Sequence, residues 1–470
     1  MRGFTSTLIL VVVLAGLGGY IYFVDSKRAE PGIDGGAAKE KVYSLAVDAV
    51  NEFKLTYNGE TSVLRKDASG WKMIAPVATE ADAAEAVSVA QALANLELVR
   101  VVEENPTDLQ KYNLAKPPIA VEFKAGSVTG SLMLGDKNAT QGEIYALKGG
   151  DKKVFLVSSF QETNFNRTPF DLRDKKILKF DRDKADTLTL SRAAQVMTLA
   201  RAGSEWKVTG PVASRSDYSA IEGLLTRLAT SNMSKLVESD GKDLAKYGFD
   251  QPAMSITIGA GSAKTVLEVG KTENDQTYAR DASRPLVFTV DTTLQGDFTK
   301  PFDDYRKKEL FELRPFYVDK LRAVLDAPGG PKTYELEKVK AAKPTDSDSW
   351  KVTRVGGASH PANAQAMDDL LAKLVALKAE SFVEAKAKTG LDKPALVVSA
   401  SYDDGKFERV RFGQVGEDAF GSREGEAVVA KVDPASMRAA MQAFDMVVMP
   451  PEPPAAPAGD KPGEKPGDKK

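Results

Sequence analysis

Few side chains in this sequence could carry chemistry, and their spacing removes most of the options. Among 470 residues there is one histidine, His360, and no cysteine. Disulfides, thiolate metal sites, iron–sulfur clusters and thiol nucleophiles therefore have no ligands, and a Ser-His-Asp triad would have to run through His360. That residue stands in "GGASHPAN", just ahead of a helical pattern that Ser359 or Asn363 is placed to cap, and reads as a local loop residue. Gly270-Lys271-Thr272 resembles the end of a P-loop. The glycine needed five residues before Gly270 is Thr265, however, and a strand pattern follows instead of a helix. Asp and Glu total 66, yet no pair stands at a spacing that singles out a glycosidase.

Two sets of residues remain as binding candidates. The first is Trp71, Trp206 and Trp350, each followed by lysine, in "SGWKMIAPV", "SEWKVTGPV" and "DSWKVTRVG". An indole can fill the seam between a sheet and a helix, or offer a stacking platform to a sugar. The second is Arg173 and Arg306, which follow Pro-Phe-Asp in "PFDLRDKKILKF" and "PFDDYRKKELFEL". These arginines could pair with Asp171 and Asp303, clamp an anion bidentately, or belong to a capped, solvated helix between domains. No catalytic, metal or cofactor residues are expected.

The tryptophans also set the frame for everything around them. Prolines follow the first two by five residues, at Pro76 and Pro211, whereas the third copy has Val355. An apolar stripe at i, i+3, i+4, i+7 comes next in each copy: Ala86, Val89, Ala90, Leu93; Ile221, Leu224, Leu225, Leu228; Met367, Leu370, Leu371, Leu374. That period predicts one amphipathic helix per copy. A phrase then recurs as "KYNLAKPP", "KYGFDQPA" and "KTGLDKPA". Its Tyr112 and Tyr247 lie 41 residues after their tryptophans, and Thr389 lies 39 after its own. The proline ends a helical turn and favours extended geometry before it. Strands follow, the second closing on Gly135, Gly270 or Gly413, where a turn with positive φ is expected. Ahead of the first tryptophan, Asn58-Gly59 centres "FKLTYNGETSVLRK", a two-residue hairpin signal.

The predicted fold class is α+β: three tandem repeats, each an antiparallel sheet with one main amphipathic helix, after an N-terminal transmembrane helix. Each unit reads as hairpin, tryptophan strand, helix, short turn and a meander of about four strands. The expected boundaries are 1–24 for the tail and anchor, 25–40 for a flexible stalk, 41–180, 181–315 and 316–449 for the repeats, and 450–470 for a disordered Pro/Gly/Lys tail. Gly3 to Val24 carries no charge. About 20 helical residues cross the roughly 30 Å hydrocarbon core, so residues 5–24 can span the membrane. The apolar run is too long for a signal-peptide h-region and no small-x-small cleavage site follows it before Asp25, which favours an uncleaved anchor. Lys27, Arg28, Lys39 and Lys41 follow the span against Arg2 before it, a bias toward keeping the bulk inside. Long domains nonetheless translocate regardless of flank charge, and a short leading tail suits a bacterial signal anchor, so the bulk is placed outside. Charged residues make up 28% and leave a net charge of −2, without the basic balance of a nucleic-acid binder.

Taken together, the Trp-Lys-x-x-x-Pro phrase, the helix, the Lys-Tyr-Gly-Phe/Leu-x-x-Pro phrase and the strand-closing glycine resemble the bacterial family known as domain of unknown function 4340. The likeness runs from Lys41 to about Val448 and is best in the first two copies; the third lacks the counterparts of Pro76 and Tyr112. The resemblance implies a membrane-anchored envelope protein of the kind encoded near gliding-type ABC transporter components, and it brings no catalytic residues. The expected function is a non-enzymatic accessory or scaffold, single-pass in the bacterial inner membrane with its bulk in the periplasm, whose partner is an envelope protein such as an ABC permease. The competing readings are a glycan- or peptidoglycan-binding module built on the three tryptophans, and a hydrolase using carboxylates alone.

Overall fold

Asn58 and Gly59 both take positive φ, 47° and 85°, and close the two-residue hairpin that the sequence announces. From it the first sheet is built. Its strands are β1 (Val50–Tyr57), β2 (Glu60–Asp67), β3 (Gly70–Ala75), β4 (Thr79–Glu80), β5 (Arg100–Glu103), β6 (Ile119–Ala125), β7 (Val128–Lys137), β8 (Glu143–Lys148) and β9 (Val154–Ser158). Helix α1 (Ala83–Ala94) separates β4 from β5. The sheet order is β4-β3-β2-β1-β6-β7-β8-β9-β5, with antiparallel pairs throughout. The strands before and after α1 thus lie at opposite edges, and the helix makes the crossing. Short helices α2 (Glu162–Phe165) and α3 (Pro169–Leu172) close this part of the chain.

This computed structural model describes residues 40–343, 345–383, 387–403 and 405–450. The expected anchor, the stalk up to residue 39 and the tail beyond Pro450 lie outside them. Among the described residues, no helix is long and apolar enough to cross a membrane. The chain divides into two compact units, one ending at Lys175 and the other beginning at Lys176.

The second unit repeats the first sheet's order twice. Its first sheet comprises β10 (Thr187–Arg192), β11 (Gln195–Ala202), β12 (Glu205–Gly210), β13 (Ser214–Arg215), β14 (Lys235–Glu238), β15 (Met254–Ala260), β16 (Ala263–Glu273), β17 (Gln276–Asp281) and β18 (Val287–Val290), with helices α4 (Tyr218–Thr230) and α5 (Thr292–Thr299). The other comprises β19 (Val318–Leu325), β20 (Lys332–Val339), β21 (Ser349–Arg354), β22 (Ser359–Pro361), β23 (Ala379–Val383), β24 (Leu396–Tyr402), β25 (Lys406–Val415), β26 (Asp418–Arg423) and β27 (Val429–Val432), with helices α6 (Ala364–Ala376) and α7 (Pro434–Val448).

The helix stripes face inward as their spacing demands. Ile221, Leu224, Leu225 and Leu228 of α4 are fully buried, each side chain contributing about 1.5–3 kcal/mol of transfer free energy. Asp82, Asp217 and Asn363 occupy the N-caps of α1, α4 and α6, their side chains accepting from helix N–H groups. The expected meander is present but two short edge strands flank it in every sheet, bringing the count to nine. The helix after the last strand, short in the first two copies (α2 and α5), is longest in the third, where Met437, Ala440, Phe444 and Val447 of α7 join the same core as Leu370, Leu371 and Leu374 of α6.

The recurring glycines work differently from the expectation. Gly135, Gly270 and Gly413 lie inside β7, β16 and β25 and do not have positive φ. What they provide is close approach: a Cβ there would stand 2.0, 2.1 and 2.1 Å from the carbonyl oxygens of Tyr112, Tyr247 and Thr389, respectively. The glycine and the Lys-Tyr phrase are therefore two halves of one lock. The tyrosines are buried and lie against Tyr145 and Tyr278, with ring centroids 4.7 and 5.1 Å apart. Gly270-Lys271-Thr272 runs along β16 into a turn at Asn274-Asp275, where both residues have positive φ, so no helix N-terminus is available to cradle phosphate.

Candidate functional site

Trp71, Trp206 and Trp350 occupy matching places on β3, β12 and β21 and are 5%, 3% and 7% exposed. A sugar platform needs an open indole face. These indoles are interior, and the platform reading fails for all three. Trp71 packs on Phe53 with centroids 5.3 Å apart, and its Nε1–H has no acceptor among the described residues. Trp206 donates from Nε1 to Glu222 Oε1 of α4 at 2.9 Å, and Arg201 reaches the same carboxylate at 3.2 Å. The seam between tryptophan strand and helix is thus sealed by a hydrogen bond in the second copy.

Arg173 and Arg306 are also interior, 4% and 5% exposed, which corrects the solvated-helix expectation and leaves no open fork for an anion. Asp171 is engaged with Thr168 in a capping box on α3. Each arginine pairs as a bridge with the residue before a helix N-cap, Arg173 with Ala81 and Arg306 with Ser216. The flanking bonds match: Asp82 N to Leu172 O at 2.9 Å and Asp174 N to Glu80 O at 2.9 Å in the first unit, Asp217 N to Tyr305 O at 2.9 Å and Lys307 N to Arg215 O at 3.2 Å in the second. The Arg306 guanidinium donates to Val212 O at 3.0 Å and Ser214 Oγ at 2.6 Å. Burial depresses its proton affinity, against the opposing pull of Asp303 and Glu426.

Three residues past Arg306, Glu309 bridges to Lys378, just after α6. The segment from Pro301 to Leu313 therefore pairs at one end with the β13 edge and at the other with the residue preceding β23. Around it lies a cluster of charged side chains from three stretches of the chain. Glu408, on the inward face of β25, is 3% exposed. It accepts from Glu312 N at 3.1 Å, Leu313 N at 2.9 Å and the Arg423 guanidinium. Arg423 also reaches Leu310 O at 3.2 Å and lies 3.7 Å from Glu312. Arg215, from β13, joins Glu426 and Glu312, the latter at 3.1 Å, and donates to Glu309 O at 2.6 Å. Burial works against the charge of Arg423, but Glu408, Glu312 and Glu426 outweigh it and hold its pKa above the ordinary value. Burial likewise pushes Glu312 up, yet Lys307, Arg215 and Arg423 bring it below the usual carboxylate range.

None of this cluster was singled out in the sequence. A signal existed for Glu408, since it alternates with Val410 and Phe412 on the apolar register of its strand. Arg215 had no such mark, because its partners lie 97 and 211 residues downstream. His360 sits on β22, its Nε2 3.3 Å from Val448 O and its Nδ1 3.0 Å from Pro361 O. Among the described residues no group of three or more His, Asp or Glu is placed to hold a metal.

No curated protein matches this chain. Among solved structures, a DNA polymerase sliding clamp from Pseudomonas aeruginosa with ligand is similar at 9% identity and a TM-score of 0.16, covering 84% of this chain and 93% of its own. A score that low carries no argument. The family profile described as "Domain of unknown function (DUF4340)" matches residues 71–213 and 206–394, the two matches beginning at Trp71 and Trp206. With two tandem matches that start at successive tryptophans and together span more than half of the sequence, the chain belongs to the DUF4340 family.

Proposed function

We propose that the chain is a non-enzymatic envelope accessory or scaffold, held by an N-terminal span in the bacterial inner membrane with its repeats in the periplasm. The observation that carries this reading is the use made of its charged residues. Arg306, Arg215, Arg423, Glu312 and Glu408 are engaged in fastening the segment between two sheets. In this reading Glu408 and Arg306, the buried members of the set, serve to fix one arrangement of the segment more than to add stability, and a specific arrangement is what a spacer or docking scaffold requires. The uncharged stretch from Gly3 to Val24 supports the membrane attachment. The partner that fits a membrane-held repeat protein of this kind is another envelope protein, such as an ABC permease.

Crosslinking in intact cells, purification on the full-length chain and mass spectrometry test the proposal. A permease or its ATPase, recovered with the full chain and lost when the repeats are deleted but the span is kept, supports it. Recovery of glycan fragments without any protein partner overturns it.

A further inference from the structure

The three copies serve as controls for one another at a single edge. In the first two, the segment after the helix that follows the last strand (α2 or α5) returns to pair beside the helix N-cap residue, through Leu172, Arg173 and Asp174, and through Tyr305, Arg306 and Lys307. The third copy keeps the near side of that arrangement. Ala362 N donates to Trp350 O at 2.8 Å, as Ala81 N does to Trp71 O at 3.2 Å, and Asn363 caps α6. Among the described residues no far strand pairs with this edge. The Asn363 N–H has no acceptor among the described residues, and an open groove of about 810 Å³ runs beside it, lined by Pro361, Ala362, Met446, Met449 and Pro450. Met446 and Met449 are 60% and 59% exposed.

We propose that this groove is the docking slot for the chain's own segment from Pro451 to Ala456, added as an edge strand to β22. Chain order argues for it: in both other copies the closing segment comes after the helix that follows the last strand, and after α7 that segment is "MPPEPPAAPAG". It leaves the described fold at Pro450, which already lines the groove. Its start, Pro450-Pro451-Glu452, matches the Pro-x-acid of Pro169-Phe170-Asp171 and Pro301-Phe302-Asp303. The bridging arginine comes four residues after that proline in the first copy and five after it in the second, which here falls on Pro454 or Ala455. In such a bridge the central residue turns its own N–H away from the sheet; only the residue before it must offer a carbonyl and the residue after it an N–H. Pro453 or Pro454 supplies the carbonyl for Asn363, and Ala455 or Ala456 supplies the N–H for Pro361 O. Proline is tolerated in a strand at just such an edge position, and its ring suits the methionine-lined wall.

Hydrogen exchange on the solubilised full chain tests this. Deleting residues 451–470 is expected to speed exchange at Asn363 by about tenfold or more. The Ala455→Pro/Ala456→Pro variant, which removes both candidate donors, is expected to act like the deletion, while Gly463→Pro leaves the rate unchanged. Equal exchange at Asn363 with and without the tail overturns the proposal. So does a double-proline variant that behaves as the parent, protection that rises with protein concentration (a second copy in the slot), or protection that appears only when envelope extract is added (a partner in the slot).

Discussion

Glu408 offers the sharpest test of the junction between the second and third sheets. Glu408→Gln preserves shape and removes the charge. Three donors converge on this carboxylate, Arg423 and Glu312 N on Oε2 and Leu313 N on Oε1. A glutamine amide offers one acceptor oxygen, so in either orientation its NH2 faces at least one N–H. The Arg423 side chain, 14% exposed, also loses its nearest countercharge and keeps Glu312 at 3.7 Å. Breaking a buried pair from one side costs about 3–5 kcal/mol, and the remaining carboxylate places this case near about 3 kcal/mol. The readout is hydrogen exchange across residues 406–423, where that cost corresponds to opening about two orders of magnitude more often. Glu424→Gln is the control, because its pair with Arg409 has side chains 56% and 39% exposed and is worth under about 1 kcal/mol. If Glu408→Gln accelerates exchange by no more than the control does, the carboxylate is not what holds the segment and the reasoning is wrong.

Gly270→Ala is expected to destabilise the second unit by about 1–3 kcal/mol, since its Cβ meets a backbone oxygen that cannot step aside; urea unfolding followed by fluorescence measures it, and an unchanged midpoint refutes the lock. Trp206→Phe should cost about 1 kcal/mol more than Trp71→Phe, because only Trp206 has an acceptor for its N–H; equal losses in the same assay contradict that assignment. Glu312 is held below the usual carboxylate range in the folded state, so its contribution is present above the unfolded value of about 4.3 and is lost as pH falls through the lower folded value. The melting-temperature gap between the parent and Glu312→Gln should therefore be full at neutral pH and narrow steadily as the solution is acidified below the unfolded value; a gap that stays constant across the whole acid range rules out the ionic account.

What the sequence disclosed was whatever is local or repeated. The Asn58-Gly59 turn, the helix stripes and the Asn363 cap are short-range patterns whose physics lies within a few residues. The fourth and fifth strands of each sheet were not legible, because two to five residues carry no period to detect. Helix α7 could have been found: Asp433 caps it, Pro434 takes its first position, and Met437, Ala440, Phe444 and Val447 keep the helical spacing. The glycines were assigned to the second strand but taken to end it in a turn, whereas the strand runs on past each; nothing local reveals a carbonyl brought from a phrase more than twenty residues away. The arginines beside Pro-Phe-Asp looked like surface charge for the same reason. Their partners, Ala81 and Ser216, lie about 90 residues upstream.

The three copies also separate two kinds of residue. The tryptophan, the helix stripe and the contact between the glycine and the carbonyl of Tyr112, Tyr247 or Thr389 occur in every copy, so they answer the demand each sheet makes on its own, to bury one face and fix one crossing helix. What differs between copies lies where a connecting segment is fastened to a sheet. The buried arginine closes the edge in the first two and is absent from the third, where His360 of β22 reaches the end of α7 instead. Glu408 belongs to the third alone, its counterparts counted back from the lock glycine being Gly130 and Thr265. A duplicated unit that needed only to fold would have no use for such differences. They fall where a connecting segment meets a sheet, so the specificity of this protein resides in how those segments are fastened.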